Sequence, residues 1–338
     1  MRDRILKAAR REPVDTTPIW IMRQAGRYLP EYRELRKKYA MEEICRTPEL
    51  TVEATLQPLR RFDLDAAILF SDLLVPLWGM GIPFDLVEGK GPVLRKAFTP
   101  AELAALPPLD LAALEFNREA IRILRRELDR PLIGFTGGPF TFVSYLIEGQ
   151  PSRDYPKTRA FLHAHPREWK ALMKRLAENL ALYLRAQIEA GVQMVQVFDS
   201  WVGVLSPEDF RESVKPYVIE QLEQVGKSVP RIYFSTASAH LFSEFATLPA
   251  EVIGVDWRVP LTYAKGNFDA AYALQGNLDP SLLLGREEEL FLKTANIIEE
   301  GKALTGHIFN LGHGILPTTP PERVKRLVDF VHTTGERR

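Results

Sequence analysis

Eight short apolar runs punctuate the chain, at residues 18–22, 66–70, 131–135, 194–198, 231–234, 252–255, 271–274 and 307–311. They are continuous rather than alternating, the pattern of strands buried on both faces in a parallel sheet. Longer segments of helical periodicity lie between them. Trp169, Leu172, Met173, Leu176, Leu180 and Tyr183 fall on one stripe of a helix that ends at Gly191. Val324, Leu327, Val328 and Val331 mark the same kind of stripe in the last helix. Thr47-Pro48, Thr99-Pro100, Ser206-Pro207 and Thr319-Pro320 each set a capping side chain before a proline suited to the first helical turn. Glu102 and Glu322, three residues after their caps, predict two capping boxes.

Alternating strands and helices with eight strands predict an α/β fold, a single (β/α)8 TIM barrel spanning residues 1–338. An open doubly wound sheet would carry a G-x-G-x-x-G turn after an early strand, and the sequence has none. Residues 79–98 form an insertion after the second strand, with Glu88-Gly89-Lys90-Gly91 as a hairpin turn. No linker or low-complexity tract divides the chain.

Composition narrows the partners. The 338 residues hold 44 acidic and 44 basic side chains, so no bulk field draws the chain to nucleic acid or to a membrane surface. A highly charged substrate must therefore be met by a few local arginines. The one cysteine, Cys45, excludes an internal disulfide and a multi-cysteine metal site. No apolar run approaches bilayer length, and the N-terminus lacks a signal-like apolar core. A reducing, cytoplasmic compartment is expected.

In a barrel, chemistry belongs at the C-terminal ends of the strands, and every predicted strand delivers polar or glycine-rich residues there. Arg23 and Arg27 flank a glycine after the first run; two guanidinium groups there suit bidentate grips on carboxylates. Asp72 precedes an apolar stretch, so it needs hydrogen-bond donors or a raised pKa; a helix N-cap is the alternative. Tyr145, just past Gly137-Gly138-Pro139, is either core or a site residue. Ser200 either caps a helix or donates to a substrate carboxylate. His313 sits between two glycines, which expose its ring; the plainer role is a turn histidine bonding a carbonyl. A serine hydrolase is excluded, because no G-x-S-x-G elbow exists.

Taken together, these motifs resemble uroporphyrinogen decarboxylases. The stretch from Met22 to Arg33, with Arg23-Gln24-Ala25-Gly26-Arg27 at its heart, matches that family's N-terminal signature nearly letter for letter. Gly134-Phe135-Thr136-Gly137-Gly138-Pro139-Phe140-Thr141 resembles its second signature. Phe198-Asp199-Ser200-Trp201 and Asn310-Leu311-Gly312-His313-Gly314 fit later blocks. The resemblance implies a cofactor-free homodimer that removes four acetate carboxyl groups from uroporphyrinogen III to give coproporphyrinogen III. It places Arg23 and Arg27 on substrate carboxylates, Asp72 at the macrocycle centre, Tyr145, Ser200 and His313 around the rim, and Tyr32 at the cleft edge.

Decarboxylation leaves an electron pair on carbon that something must accept. No lysine falls at a predicted strand end, which argues against a Schiff base and leaves the protonated pyrrole ring of the substrate as the sink. The protein then supplies position and field, toward the upper end of the ~8–23 kcal/mol that enzymes provide. Arg23, Arg27, Tyr145 and His313 all remain candidates for the proton donor. Two rivals stand. A corrinoid or thiol methyltransferase on the same barrel would use zinc and needs cysteine near the strand ends, whereas Cys45 is expected far from them. A non-catalytic tetrapyrrole-binding protein would keep the arginines but could dispense with Asp72 and Tyr145.

Overall fold

The computed structural model of the chain describes residues 2–87 and 91–336. Its strands are β1 (Ala67–Ile68), β2 (Phe84–Val87), β3 (Gly91–Leu94), β4 (Leu132–Gly137), β5 (Met194–Phe198), β6 (Arg231–Phe234), β7 (Val252–Gly254), β8 (Ala273–Gln275) and β9 (His307–Ile308). Seven of them form one curled parallel sheet in the order β1-β4-β5-β6-β7-β8-β9. Helices cover its outer face, the longest being Pro166–Ala190, which ends at Gly191. Strands β2 and β3 pair antiparallel as a separate hairpin, the expected insertion; the turn predicted at Glu88-Gly89-Lys90 lies outside the described residues.

The side-chain alternation of a strand explains why the apolar runs are continuous. Ile133, Met194, Ile232, Phe234, Val252, Ala273 and Ile308 point to the inside of the curl, where one apolar cluster sits. Leu132, Val195, Val197, Tyr233, Ile253 and Leu274 point outward into a second cluster beneath the helices. Ile5, Leu6, Ala8 and Ala9 of the helix Arg4–Ala9 belong to the inner cluster. Two side-chain hydrogen bonds link polar groups in that interior. Trp20 Nε1 donates to Gln275 Oε1 at 2.9 Å, and Gln275 Nε2 donates to Gln196 Oε1 at 3.1 Å.

The eighth expected strand, residues 18–22, forms no ladder. It makes one isolated parallel bridge, Ile19 to Phe309, with Phe309 N donating to Pro18 O at 2.8 Å. Pro18 has no N–H to give. Side chains take up three of its amides: Ile19 N donates to Asp65 Oδ2 (2.7 Å), Ile21 N to Gln24 Oε1 (3.2 Å) and Met22 N to Asn310 Oδ1 (2.9 Å). On the other flank Asp65 N returns a bond to Ile19 O at 2.8 Å. A buried amide left unsatisfied would cost about 1–3 kcal/mol, so these side chains are structural necessities.

Asp65, 1% exposed, is the hub of the lower face: it also accepts from Arg4 Nη1 at 2.7 Å and His332 Nε2 at 2.8 Å. Thr16 Oγ1 donates to His332 O nearby, so the two ends of the chain meet there.

Two of the four predicted caps hold. Thr99 and Glu102 form a full capping box, and Ser206 accepts from Asp209 N. Thr47 makes no capping bond. The last helix is Pro321–Thr334, one residue later than a Thr319 cap requires, so the second predicted box with Glu322 is absent and the Thr319 hydroxyl is buried without a partner. Among the described residues no helix is long and apolar enough to cross a membrane.

Candidate active site

The residues that follow the strands converge on one rim. Arg23 leaves the 18–22 segment with φ 64°, a left-handed conformation that costs a non-glycine residue of order 1–3 kcal/mol and persists because both flanks are tied down. Asn310 holds Met22 on one side, and Gln24 Nε2 donates to Ala66 O at 3.1 Å on the other. Gly314 completes the seat. A Cβ there would lie 2.4 Å from Arg23 Cδ and 2.8 Å from its Nε. The glycines around His313 therefore serve close approach, not only exposure: Gly314 admits the Arg23 stem and Gly312 packs on the Trp257 backbone.

Asp72 faces this arginine without a direct ion pair. Its Oδ1 accepts from Leu74 N at 2.8 Å, a local turn rather than a helix N-cap, since the next helix, Val75–Gly79, begins after Leu74. Burial pushes its carboxyl up to about 6, against the pull of the Leu74 bond and the Arg23 charge. Burial likewise raises the Tyr145 phenol, which senses the charges of Asp72 and Arg23 and so stays protonated at neutral pH. Arg23 itself is held below its ordinary value by desolvation and by Arg27, with Tyr145 and Asp72 opposing. His313 is lowered to about 4 by desolvation and by the Arg23 charge, so its imidazole is neutral at pH 7.

Arg23, Asp72, Tyr145 and His313 thus share one electrostatic neighbourhood, and Arg27 stands beside Arg23. Among the described residues neither arginine guanidinium, nor the Tyr145 hydroxyl, has a hydrogen-bond or ion-pair partner. Ser200 is half-buried, with only its carbonyl engaged, by Thr236 Oγ1 at 2.8 Å. Tyr32 lies deeper than a cleft edge. It is 4% exposed, packs on Phe70 with ring centres 5.4 Å apart, and donates its hydroxyl to Met41 Sδ.

Cys45 is not far from the strand ends, contrary to expectation. Its helix, Met41–Arg46, brings the thiol to the turn that follows β1, where it hydrogen-bonds the Asp72 backbone. Burial raises the thiol well above its ordinary value. Among the described residues no group of three or more His, Cys, Asp or Glu side chains is arranged to hold a metal ion.

Several rim residues were not singled out from sequence. Trp201 stacks between Tyr145 and Tyr155, with 4.4 Å between ring centres on each side, and so forms the wall behind the Tyr145 ring. Asp199 is fully buried and accepts from Thr141 N (2.9 Å), Thr141 Oγ1 (2.8 Å) and Tyr233 Oη (3.2 Å). Burial lifts it to about 6 as well, but its oxygens are committed to holding the helix Pro139–Glu148 that carries Tyr145. The Trp257 ring meets His313 edge-on at 6.1 Å. The signal for these was the same strand-end position used for the others, carried one residue further.

Fold and site define the class: an α/β enzyme whose cleft, at the C-terminal ends of a parallel sheet, presents unpaired cations around a desolvated carboxylate. The uroporphyrinogen decarboxylase (URO-D) family profile matches residues 1–334. A uroporphyrinogen decarboxylase of Streptomyces avermitilis is 48% identical over 98% of this chain and 94% of its own length. Those of Streptomyces coelicolor (49%, covering 98% and 94%) and Sorangium cellulosum (48%, covering 98% and 97%) are equally similar. The chain belongs to the uroporphyrinogen decarboxylase family, which makes it an enzyme of the carboxy-lyase class. Among solved structures, a methyltransferase from Methanosarcina mazei superposes with a TM-score of 0.82 at 23% identity, covering 98% of this chain and 97% of that one, a likeness of fold alone.

Proposed function

We propose that the chain converts uroporphyrinogen III to coproporphyrinogen III and four CO2, one acetate arm at a time. The supporting observation is the pair of partnerless guanidiniums, Arg23 and Arg27, set beside Asp72 in one cleft. On this reading segment 18–22 is the eighth stave of a closed (β/α)8 barrel, a single domain over residues 1–338 that works as a cytoplasmic homodimer.

Each step turns R–CH2–CO2− and one proton into R–CH3 and CO2. Protonation of the pyrrole carbon lets the carbon–carbon bond break with its electrons passing into the ring. The exocyclic methylene then takes a proton, and the ring proton is released. The macrocycle is its own electron sink. Asp72, ionised above about pH 6, accepts the inward pyrrole N–H groups with its free oxygen and stabilises the positive ring. Arg23 and Arg27 grip carboxylate arms and orient the reacting one. His313, neutral at pH 7, serves as a hydrogen-bonding group rather than a cationic acid. That leaves Arg23 and Tyr145 as the proton-bearing groups facing Asp72. Ser200 lines the rim, and Tyr32 backs Arg27.

The test is anaerobic incubation with chemically reduced uroporphyrin III in the presence of a strong metal chelator. Products are oxidised and separated by carboxyl count. Stepwise seven-, six-, five- and four-carboxyl species are expected; unchanged substrate from folded protein would refute the reading.

A further inference from the structure

Beyond β7 the chain runs Val255-Asp256-Trp257-Arg258 along the rim. Asp256, 6% exposed, shapes that turn: its Oδ1 accepts from Arg258 N at 2.9 Å, and its Oδ2 from Ala237 N at 2.5 Å and from Arg258 Nη1 at 2.6 Å. The Arg258 guanidinium lies over the Trp257 ring, 4.0 Å from its centre. Trp257 in turn meets His313 edge-on, and Gly312 presses against the Trp257 backbone. Arg258 is therefore clamped on the wall of the cleft beside His313, with 47% of its side-chain surface open.

A guanidinium has five N–H donors. Asp256 takes one of them from the side chain, and no other acceptor is bonded to it among the described residues. Next to it opens a cavity of about 400 Å3, lined by Trp257, Arg258, Asn277, Asp279, Lys293 and Asn296 among others. Each acid of that cavity spends one oxygen on backbone: Asp279 accepts from Ser281 N at 2.8 Å and Glu300 from Thr262 N at 3.0 Å. The Asn277 amide donates to Asp256 O and Val259 O. Asp279 and Glu300 each keep an unbonded oxygen among the described residues, so the lining is mixed in charge, and the open guanidinium edge of Arg258 is the part of it that suits a carboxylate. The Arg258 charge also reaches the cleft, since it contributes to holding His313 below its ordinary value.

We infer that Arg258 is a third carboxylate-binding residue, taking a peripheral carboxylate arm of the macrocycle in the space between Trp257 and the adjoining cavity. The inference rests on the substrate reading above. Eight carboxylates on one ligand outnumber the two arginines of the first loop, and a guanidinium pre-stacked on tryptophan loses little freedom on binding. A purely structural Arg258–Asp256 pair would affect the turn and contribute nothing to substrate affinity.

The experiment is steady-state kinetics on reduced uroporphyrin III with wild type, Arg258→Ala and Arg258→Gln, alongside thermal midpoints. Loss of one charge-assisted contact raises KM about tenfold or more in both variants. The rate constant kcat stays within about threefold, because a contact remote from the reacting carbon is lost equally from ground and transition states. Gln keeps the stem over Trp257, so it reports the charge even if Ala disturbs the turn. An unchanged KM in folded variants of an active enzyme overturns this inference alone. An inactive wild type overturns the substrate reading and this inference with it.

Discussion

Gly314→Ala isolates the geometry of the arginine site from its chemistry. The added Cβ would stand 2.4 Å from Arg23 Cδ, 2.8 Å from Nε and 2.9 Å from Cγ. Carbon atoms rest about 3.5–4.0 Å apart, so the stem must retreat by roughly 1 Å or more. That retreat is cheap for the fold, because the outer part of an arginine side chain moves easily and Gly314 is not in the left-handed region. It is expensive for catalysis: a displacement of about 1 Å at a positioning group costs on the order of 100-fold, or about 2.7 kcal/mol at 1.36 kcal/mol per decade. We expect kcat/KM on reduced uroporphyrin III to fall by that factor, with the thermal midpoint within a few degrees of wild type. A double-mutant cycle sharpens the test. In an Arg23→Ala background the methyl group has nothing to displace, so Gly314→Ala should add almost no further loss. Activity within threefold of wild type, or fully additive losses, would refute the seat assigned to Arg23.

Asp72→Asn keeps the Leu74 bond but removes the anion, and should abolish turnover. Because burial raises the Asp72 pKa from 3.8 to about 6, its charge disfavours the folded state above pH 4; the Asn variant should therefore melt higher than wild type at pH 7, with the gain gone below pH 4. In wild type the same shift predicts that kcat/KM falls as pH drops through about 6, readable in a pH–rate profile. Asn310→Ala should raise KM by misplacing Arg23, whereas Asn310→Asp should restore it, since Oδ1 receives Met22 N and Leu311 N while Nδ2 has no partner. A merely structural role would lower the active fraction and leave KM alone. Asp65→Ala leaves Ile19 N and His332 Nε2 without their acceptor while Arg4 keeps Asp15, and urea unfolding should show a loss of about 1–3 kcal/mol.

The parallel sheet was readable because its strands are apolar on both faces, and runs such as 194–198 and 231–234 match β5 and β6 residue for residue. The 18–22 run misled for a physical reason: hydrophobicity reports burial, not whether an amide finds a strand or a side chain. Asp72 and His313 were legible as lone polar residues in strand-end positions. Trp201 and Arg258 were not, since an aromatic or a cation after a strand is ordinary until its neighbours are known. Cys45 shows the opposite error, in which distance along the chain stood in for distance in space. Its thiol reaches the Asp72 backbone in the turn after β1, and no local pattern announces that.

The seam at residues 18–22 also fixes when the site can come into being. Strands β1 and β4 to β9 can add one after another, each after the first pairing with a neighbour already made. The first segment can meet Asp65 and Ala66 early but cannot be completed then: its partners Phe309 and Asn310 lie almost 300 residues downstream, and the lower end waits for His332. Contacts this distant in sequence form late and slowly. During synthesis Arg23 therefore has no complete seat until Asn310 and Gly314 have emerged. A truncated or stalled chain can hold most of the sheet and still offer no grip for a polycarboxylate, so ligand binding reports completion of the whole fold.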